Sequence, residues 1–308
     1  MKVLYYNLKE KFQMTTPMVA CIGYFDGLHL GHQKLIETTK KLAQAQNVDS
    51  CLISFVPDPL KVILKLETVK HINSLEERIE IIKEFGIDKL ILLEFDQQMA
   101  NLSVLEFSNL ILKKLHLQTL VVGFDFKYAK NKSGNYQTLV RDNDFNIIEI
   151  PEVKYLNEKI STTRIIKCLN NRQIEEANKM LNYHYFIQGV VISGHQKGRT
   201  IGFPTCNLKV SKEVIIPKEG IYIGYVKYQN QYFKAMINIG HNPTFNYVNQ
   251  LSIEAHILDF NQNIYGENLI IYFNQFISPE AKYADVNDLI KALEEYKKMA
   301  AKQPEFLL

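Results

Sequence analysis

The chain has 308 residues, long for one hydrophobic core and suited to two domains. It is 46% hydrophobic and 22% charged, which excludes a disordered or membrane-embedded class, and a formal charge of +3 is too small to imply a nucleic-acid partner. No apolar run is long enough to span a bilayer, and the segment Met1 to Glu10 carries charges and tyrosines where a signal peptide needs an apolar stretch; a cytoplasmic protein is expected. Cys21, Cys51, Cys168 and Cys206 are widely separated with no C-x-x-C pair, so they read as reduced thiols rather than a disulfide framework or a zinc site.

In chain order, apolar runs at 18–22, 51–55, 89–93, 119–122 and 146–150 alternate with helical stretches at 33–46, 74–85 and 103–115. This alternation predicts an α/β domain, a doubly wound parallel sheet with helices on both faces, over residues 1–160. One or two connecting helices follow over 161–183. From about Tyr185 the texture changes to short alternating runs at 186–192, 221–228, 231–237, 251–258 and 269–273, separated by Gly, Asn and Pro turns. Such spacing, without helices between the runs, predicts an all-β domain over 184–308, an antiparallel barrel. Val286, Leu289, Ile290, Leu293 and Tyr296 recur at helical spacing, so a closing helix should lie on that barrel.

Two segments carry chemistry. The first runs from Cys21 to His32, Cys-Ile-Gly-Tyr-Phe-Asp-Gly-Leu-His-Leu-Gly-His, and places His29 and His32 where a buried strand hands over to a helix. The free N–H groups of a helix's first turn attract anions, and Gly31 lets a phosphate approach without meeting a Cβ. Two imidazoles there can donate hydrogen bonds to phosphate oxygens. Pro57 and Asp125 also follow strands, so both can share the crevice beyond the strand ends.

The second segment is Gly198-Arg199-Thr200-Ile201-Gly202-Phe203-Pro204-Thr205-Cys206-Asn207. Glycines flanking a basic residue suit a loop that closes around phosphates, although G-x-x-x-G alone is a weak signal. In an extended segment Thr205 and Asn207 point to the same side and present a hydroxyl with an amide oxygen, a plausible Mg²⁺ site, or else a turn capping backbone groups. Glu254 lies on the polar face of the run 251–258.

The H-x-G-H pattern resembles the nucleotidylyltransferase superfamily, in which it binds the triphosphate of ATP. Its longer form, G-Y-F-D-G-L-H-L-G-H with Gly23, Phe25, Asp26 and Gly27, resembles the N-terminal half of prokaryotic FAD synthetases. Ser54-Phe55-Val56-Pro57-Asp58-Pro59, Val122-Gly123-Phe124-Asp125-Phe126 and Ile160-Ser161-Thr162-Thr163-Arg164-Ile165 are similar to further motifs of that half. Arg164, a cation in a helix's first turn, opposes the helix dipole, and a bound nucleotide phosphate would remove the conflict. Downstream, G-R-x-x-G-F-P-T-x-N, Pro217-x-x-Gly220-Ile221-Tyr222, Asn238-Ile239-Gly240-x-x-Pro243-Thr244-Phe245, Glu254-x-His256-x-x-Asp259-Phe260 and Tyr265-Gly266 resemble the riboflavin kinase module.

The resemblance implies ATP-dependent phosphorylation of riboflavin to FMN, then transfer of AMP from ATP to FMN, giving FAD and pyrophosphate. By position Thr205 and Asn207 would hold Mg²⁺, Glu254 would take the proton of the flavin hydroxyl, and His29, His32 and Arg164 would stabilise the departing pyrophosphate. Gly23, Phe25, Asp26, Gly27, Gly31, Pro57, Asp125, Ser161, Thr162, Gly198, Arg199 and Gly202 would line the nucleotide and flavin sites. The expected partners are small molecules, and the chain is expected to be a monomer or weak homo-oligomer. Asp58 replaces a histidine of the family pattern, Tyr128-Ala129 a Phe-Gly pair and Ile166 an arginine, while Asn242 and Ser278 stand where arginines are common. A riboflavin kinase with a degenerate adenylyltransferase domain is therefore the alternative, and a non-catalytic flavin-binding regulator a more distant one.

Overall fold

Strands covered on both faces need apolar residues at every position, and this is how the first half is built. A computed structural model describes residues 1–10, 13–194, 197–241, 251–281 and 283–306; the side chains of Lys197, Arg199 and His241 fall outside the description. Contacts within the chain divide it into two compact units, Met1–Ser161 and Thr162–Leu308.

The first unit holds a parallel sheet of β1 (Lys2–Tyr6), β2 (Met18–Ile22), β3 (Asp49–Val56), β4 (Lys89–Glu94), β5 (Leu117–Gly123) and β6 (Asn146–Ile150), in the order β1-β4-β3-β2-β5-β6. Met18, Ala20 and Ile22 of β2 pack into one core with Ile53, Leu93, Phe107 and Val122. Val19 and Cys21 pack into the other with Leu35, Ile36, Leu52 and Val121. From β2 the chain moves one way through β3 and β4 and returns to the other side through β5 and β6. The order therefore reverses between β2 and β5, where such sheets bind ligands beyond the strand carboxyl ends.

β1 lies outside the expected runs. It is an edge strand paired with β4, and its Lys2 and Tyr5 lie in solvent, so it has no continuous apolar signal. The first helix spans Leu30–Gln46, three residues longer at its start than its periodicity predicts, because His29 serves as its N-cap. A short hairpin, β7 (Lys154–Tyr155) and β8 (Glu158–Lys159), closes the unit.

The second unit is a closed antiparallel barrel of β9 (Phe186–Ile192), β10 (Cys206–Val210), β11 (Gly220–Tyr228), β12 (Gln231–His241), β13 (Leu251–Ile257) and β14 (Asn268–Ser278), in the order β10-β13-β12-β11-β14-β9. A helical turn, Lys197–Thr200, interrupts the expected run of strands between β9 and β10. The helices Thr162–Leu169 and Ile174–Leu181 pack on this barrel. Asn178 donates to the Phe273 carbonyl at 2.8 Å and accepts from the Tyr185 amide at 2.7 Å. The closing helix, Val286–Ala301, lays Ile290, Leu293, Tyr296 and Ala300 against Ile223, Met236 and Leu258. Val286, expected on its packed face, is exposed because it sits in the first turn, beyond the barrel contact.

Candidate functional site

The turn after β2 is set by backbone conformation. Phe25 (φ 60°) and Gly27 (φ 74°) both lie in the left-handed region, and a Cβ on Gly27 would stand 2.7 Å from Ile72 Cδ1. Gly23 gives room to the Phe25 ring, itself buried and edge-on to His32. Asp26 is also buried and accepts the amides of Ile72 and Asn73 at 3.0 and 3.3 Å, so it fastens the turn to the segment 71–73. Burial raises its pKa, against the opposing charges of His71 and Arg78.

His29 and His32 are brought together, their rings stacked with centroids 3.7 Å apart. Nδ1 of His29 accepts the His32 amide at 3.3 Å, so the neutral ring carries its proton on Nε2. Burial lowers the His29 pKa to about 4; the charge of Lys159 lowers it and that of Asp125 raises it. Burial also holds His32 well below the ordinary histidine value, and its Nδ1 is enclosed without a hydrogen-bond partner. Both imidazoles are thus neutral donors at pH 7. A Cβ on Gly31 would meet Cε1 of His29 at 3.1 Å, so this glycine admits the His29 ring, whereas the sequence suggested that it admits a phosphate.

Pro57 follows β3 through a cis peptide and is exposed. Asp125 follows β5, also exposed, and pairs with Lys159 of β8, whose ammonium lies 4.7 Å from the Phe124 ring centre. Lys159 is a cation near His29 that sequence reasoning missed; it directly precedes the Ile160-Ser161-Thr162 motif, and a lone lysine carries no spacing signal. Ser161 ends the first unit, and Thr162 and Arg164 lie in the first turn of a helix that belongs to the second.

In the second unit the glycine-rich loop folds on itself. The Phe203 amide donates to the Gly198 carbonyl at 2.8 Å, and a Cβ on Gly198 would lie 2.1 Å from the Phe203 oxygen, so local closure requires that glycine. Gly202 has φ 85°. The Arg199 side chain lies outside the described residues, as do Asn242, Pro243, Thr244 and Phe245. Nδ1–H of His256 donates to the Pro204 carbonyl at 2.8 Å, tying the loop to β13; sequence reasoning gave His256 no role.

β10 begins at Cys206 and pairs with β13, which places Asn207 opposite Glu254. The Thr205 hydroxyl donates to Oε2 of Glu254 at 3.2 Å. Hydroxyl, amide and carboxylate oxygens so gathered are hard donors in the small number that suits a Mg²⁺ ion keeping waters and phosphate ligands, so the residues present fit that ion. Thr205 and Cys206 also border a cavity of about 370 Å³ lined further by Ala255, Ile257, Phe260 and Tyr265. Burial pushes the Cys206 thiol up to about 11, so it stays protonated there.

Residues 11–164 match the FAD synthetase family and residues 181–303 the riboflavin kinase family. A bifunctional riboflavin kinase/FMN adenylyltransferase of Listeria monocytogenes is 37% identical, over 90% of this chain and 89% of that protein. The chain belongs to the bifunctional riboflavin kinase/FMN adenylyltransferase family. The Bacillus subtilis protein of that name is 35% identical, over 92% of this chain and 91% of its own. A Streptococcus pneumoniae structure described as a macrolide-efflux protein superposes with a TM-score of 0.90 at 31% identity, covering 99% of this chain and 100% of that one. Among the described residues no helix is long and apolar enough to cross a membrane.

Within this bifunctional family two of the chain's departures, Asp58 and Ser278, have local partners. Asp58 is buried, caps the helix Pro59–Ile63 through the Leu60 amide at 2.6 Å, and lies 3.6 Å from Nδ1 of His71. His71 also stands 3.9 Å from Asp26 and meets the Tyr24 hydroxyl at 3.3 Å. Arg78 donates to the Tyr24 carbonyl at 2.8 Å. A carboxylate at position 58 thus faces the His71 imidazole of a neighbouring segment. Ser278 shares a hydrogen bond of 3.0 Å with Tyr296 of the closing helix.

Proposed function

We propose that this chain phosphorylates riboflavin with ATP in its C-terminal module, residues 184–308, and adenylylates FMN in its N-terminal module, residues 1–160, with the helices of 161–183 connecting the two in sequence. The reading rests above all on one observation, the Thr205 hydroxyl bonded to the Glu254 carboxylate with Asn207 in register beside it. A mere flavin binder has no use for a cation-binding pair next to a base.

In the kinase step Thr205 and Asn207 would hold Mg²⁺, which when bound would neutralise charge on the ATP phosphates. Glu254 accepts the proton of the ribityl 5′-hydroxyl as its oxygen bonds to the γ-phosphorus and the bond to ADP breaks. In the adenylyl step an FMN phosphate oxygen attacks the α-phosphorus of a second ATP and pyrophosphate leaves. Nε2–H of His29 and the His32 imidazole donate to the phosphate oxygens, and Lys159 supplies positive charge.

We place both reactions in the cytoplasm, in a monomer or weak homo-oligomer. The barrel site, assembled from strands of one unit, supports the latter. Incubation with riboflavin, ATP and Mg²⁺, followed by chromatographic separation of FMN from FAD and assay of pyrophosphate, tests the proposal. FMN without FAD at saturating FMN would leave only the kinase, as Asp58 and Ala129 in the adenylyl module and Ile166 just after it would then explain.

A further inference from the structure

Resting on the kinase reading above, the barrel register identifies one more group at that site. Asn207 on β10, Glu254 on β13 and Asn238 on β12 form one cross-strand row, since Asn207 pairs with Glu254 and Glu254 with Asn238. Directly paired residues project to the same face, with Cβ atoms about 5 Å apart. Glu254 therefore stands between two amides that are separated by two strand spacings, roughly 10 Å.

The two amides differ in one respect. Asn207 sits with Thr205 on the side assigned to cation and phosphates. Oδ1 of Asn238 is enclosed and accepts no hydrogen bond. Leaving an amide oxygen buried and unpaired is unfavourable, so it calls for a donor that arrives with a ligand. ATP phosphates at neutral pH are acceptors and cannot supply one. The ribityl chain of riboflavin carries several O–H donors next to the hydroxyl that Glu254 deprotonates.

We propose that Asn238 is a substrate-positioning residue for riboflavin: its Oδ1 accepts a hydrogen bond from a ribityl hydroxyl other than the one phosphorylated, and so fixes the polyol on the side of Glu254 opposite the phosphates. The row then reads cation and phosphates at β10, base at β13, acceptor polyol at β12. The 5′-oxygen is held over the base and in line with the phosphoryl group by a contact to its neighbour on the chain.

The test uses the full-length protein and compares Asn238→Leu, which removes the acceptor at similar volume, with Asn238→Asp, which keeps an oxygen there. For Asn238→Leu the KM for riboflavin should rise on the order of tenfold, while the KM for ATP and the inhibition constant of lumiflavin, which has the ring but no polyol, stay at wild-type values. Asn238→Asp should keep riboflavin affinity within a few-fold, read by flavin fluorescence quenching with MgADP present. An unchanged riboflavin KM in Asn238→Leu overturns the assignment. So does a parallel loss for riboflavin, ATP and lumiflavin, which marks a structural role; if the Leu variant does not fold, Asn238→Ser is read by the same comparison. A wild-type chain inert toward riboflavin would instead sink the kinase reading itself.

Discussion

Nδ1 of His29 accepts the backbone N–H of His32 while the two imidazoles stack 3.7 Å apart, so one hydrogen bond caps the helix and also fixes which nitrogen of His29 carries the proton. Changing both histidines to Ala should abolish FAD formation from supplied FMN and leave FMN formation from riboflavin intact. Loss of a single donor to developing charge costs about 10²-fold. Parallel assays of FAD with pyrophosphate, and of FMN, check this; a double mutant with wild-type FAD output would remove the phosphate-binding role.

The same pair makes stability pH-dependent. His29 has its pKa lowered to about 4 by burial, against 6.5 in the unfolded chain, so the unfolded state binds more protons across that window. Stability should therefore fall as pH drops from about 6.5 toward 4, by up to about 1.4 kcal/mol per pH unit for His29, and His32 adds to it in the same direction. Denaturant melts at several pH values test it. In the His29→Ala, His32→Ala variant the slope between pH 6.5 and 4 should flatten.

For Glu254→Gln the shape is kept and the base removed. Riboflavin phosphorylation should fall roughly 10²–10⁴-fold while adenylylation of supplied FMN persists. Kinase turnover near wild type would show that Glu254 does not take the proton.

Ala129 has φ 62° and ψ 178°, a conformation that glycine adopts easily and alanine does not. Ala129→Gly should stabilise the first unit by about 1 kcal/mol, seen as an upward shift of roughly 2–4 °C in its calorimetric transition. A lower midpoint would mean that the neighbouring packing favours the methyl group by more than the strain.

Asn178 joins the helix Ile174–Leu181 to β14 and to Tyr185, and Arg172 donates to the Glu219 carbonyl at 2.8 Å. A fragment of residues 162–308 should fold and make FMN but no FAD. One of residues 182–308 lacks these bonds and should melt lower by circular dichroism. Equal midpoints would show that the two helices add nothing to the barrel.

How far the residues alone could be read depended on whether the signal was local. Both fold classes, the strands at 18–22 and 186–192 and the histidine and Pro-Thr-x-Asn motifs were legible, because apolar periodicity and short-range spacing are local properties. β1 and β10 were not: an edge strand with one wet face and a strand that starts inside a loop motif acquire their identity from the partner strand. The reasons for Gly31 and Gly198 also came from three dimensions, since the sequence marks a missing Cβ without saying which atom fills its place. Asp26, expected to line the nucleotide site, also accepts two amides from residues far along the chain. The same holds for His71 beside Asp58, Lys159 near His29, and Asn238 across from Glu254. His71 and Lys159 are lone residues without a spacing pattern, Asn238 stands in a motif that names no partner for it, and the environment of each exists only once the sheet and the barrel have brought distant segments together.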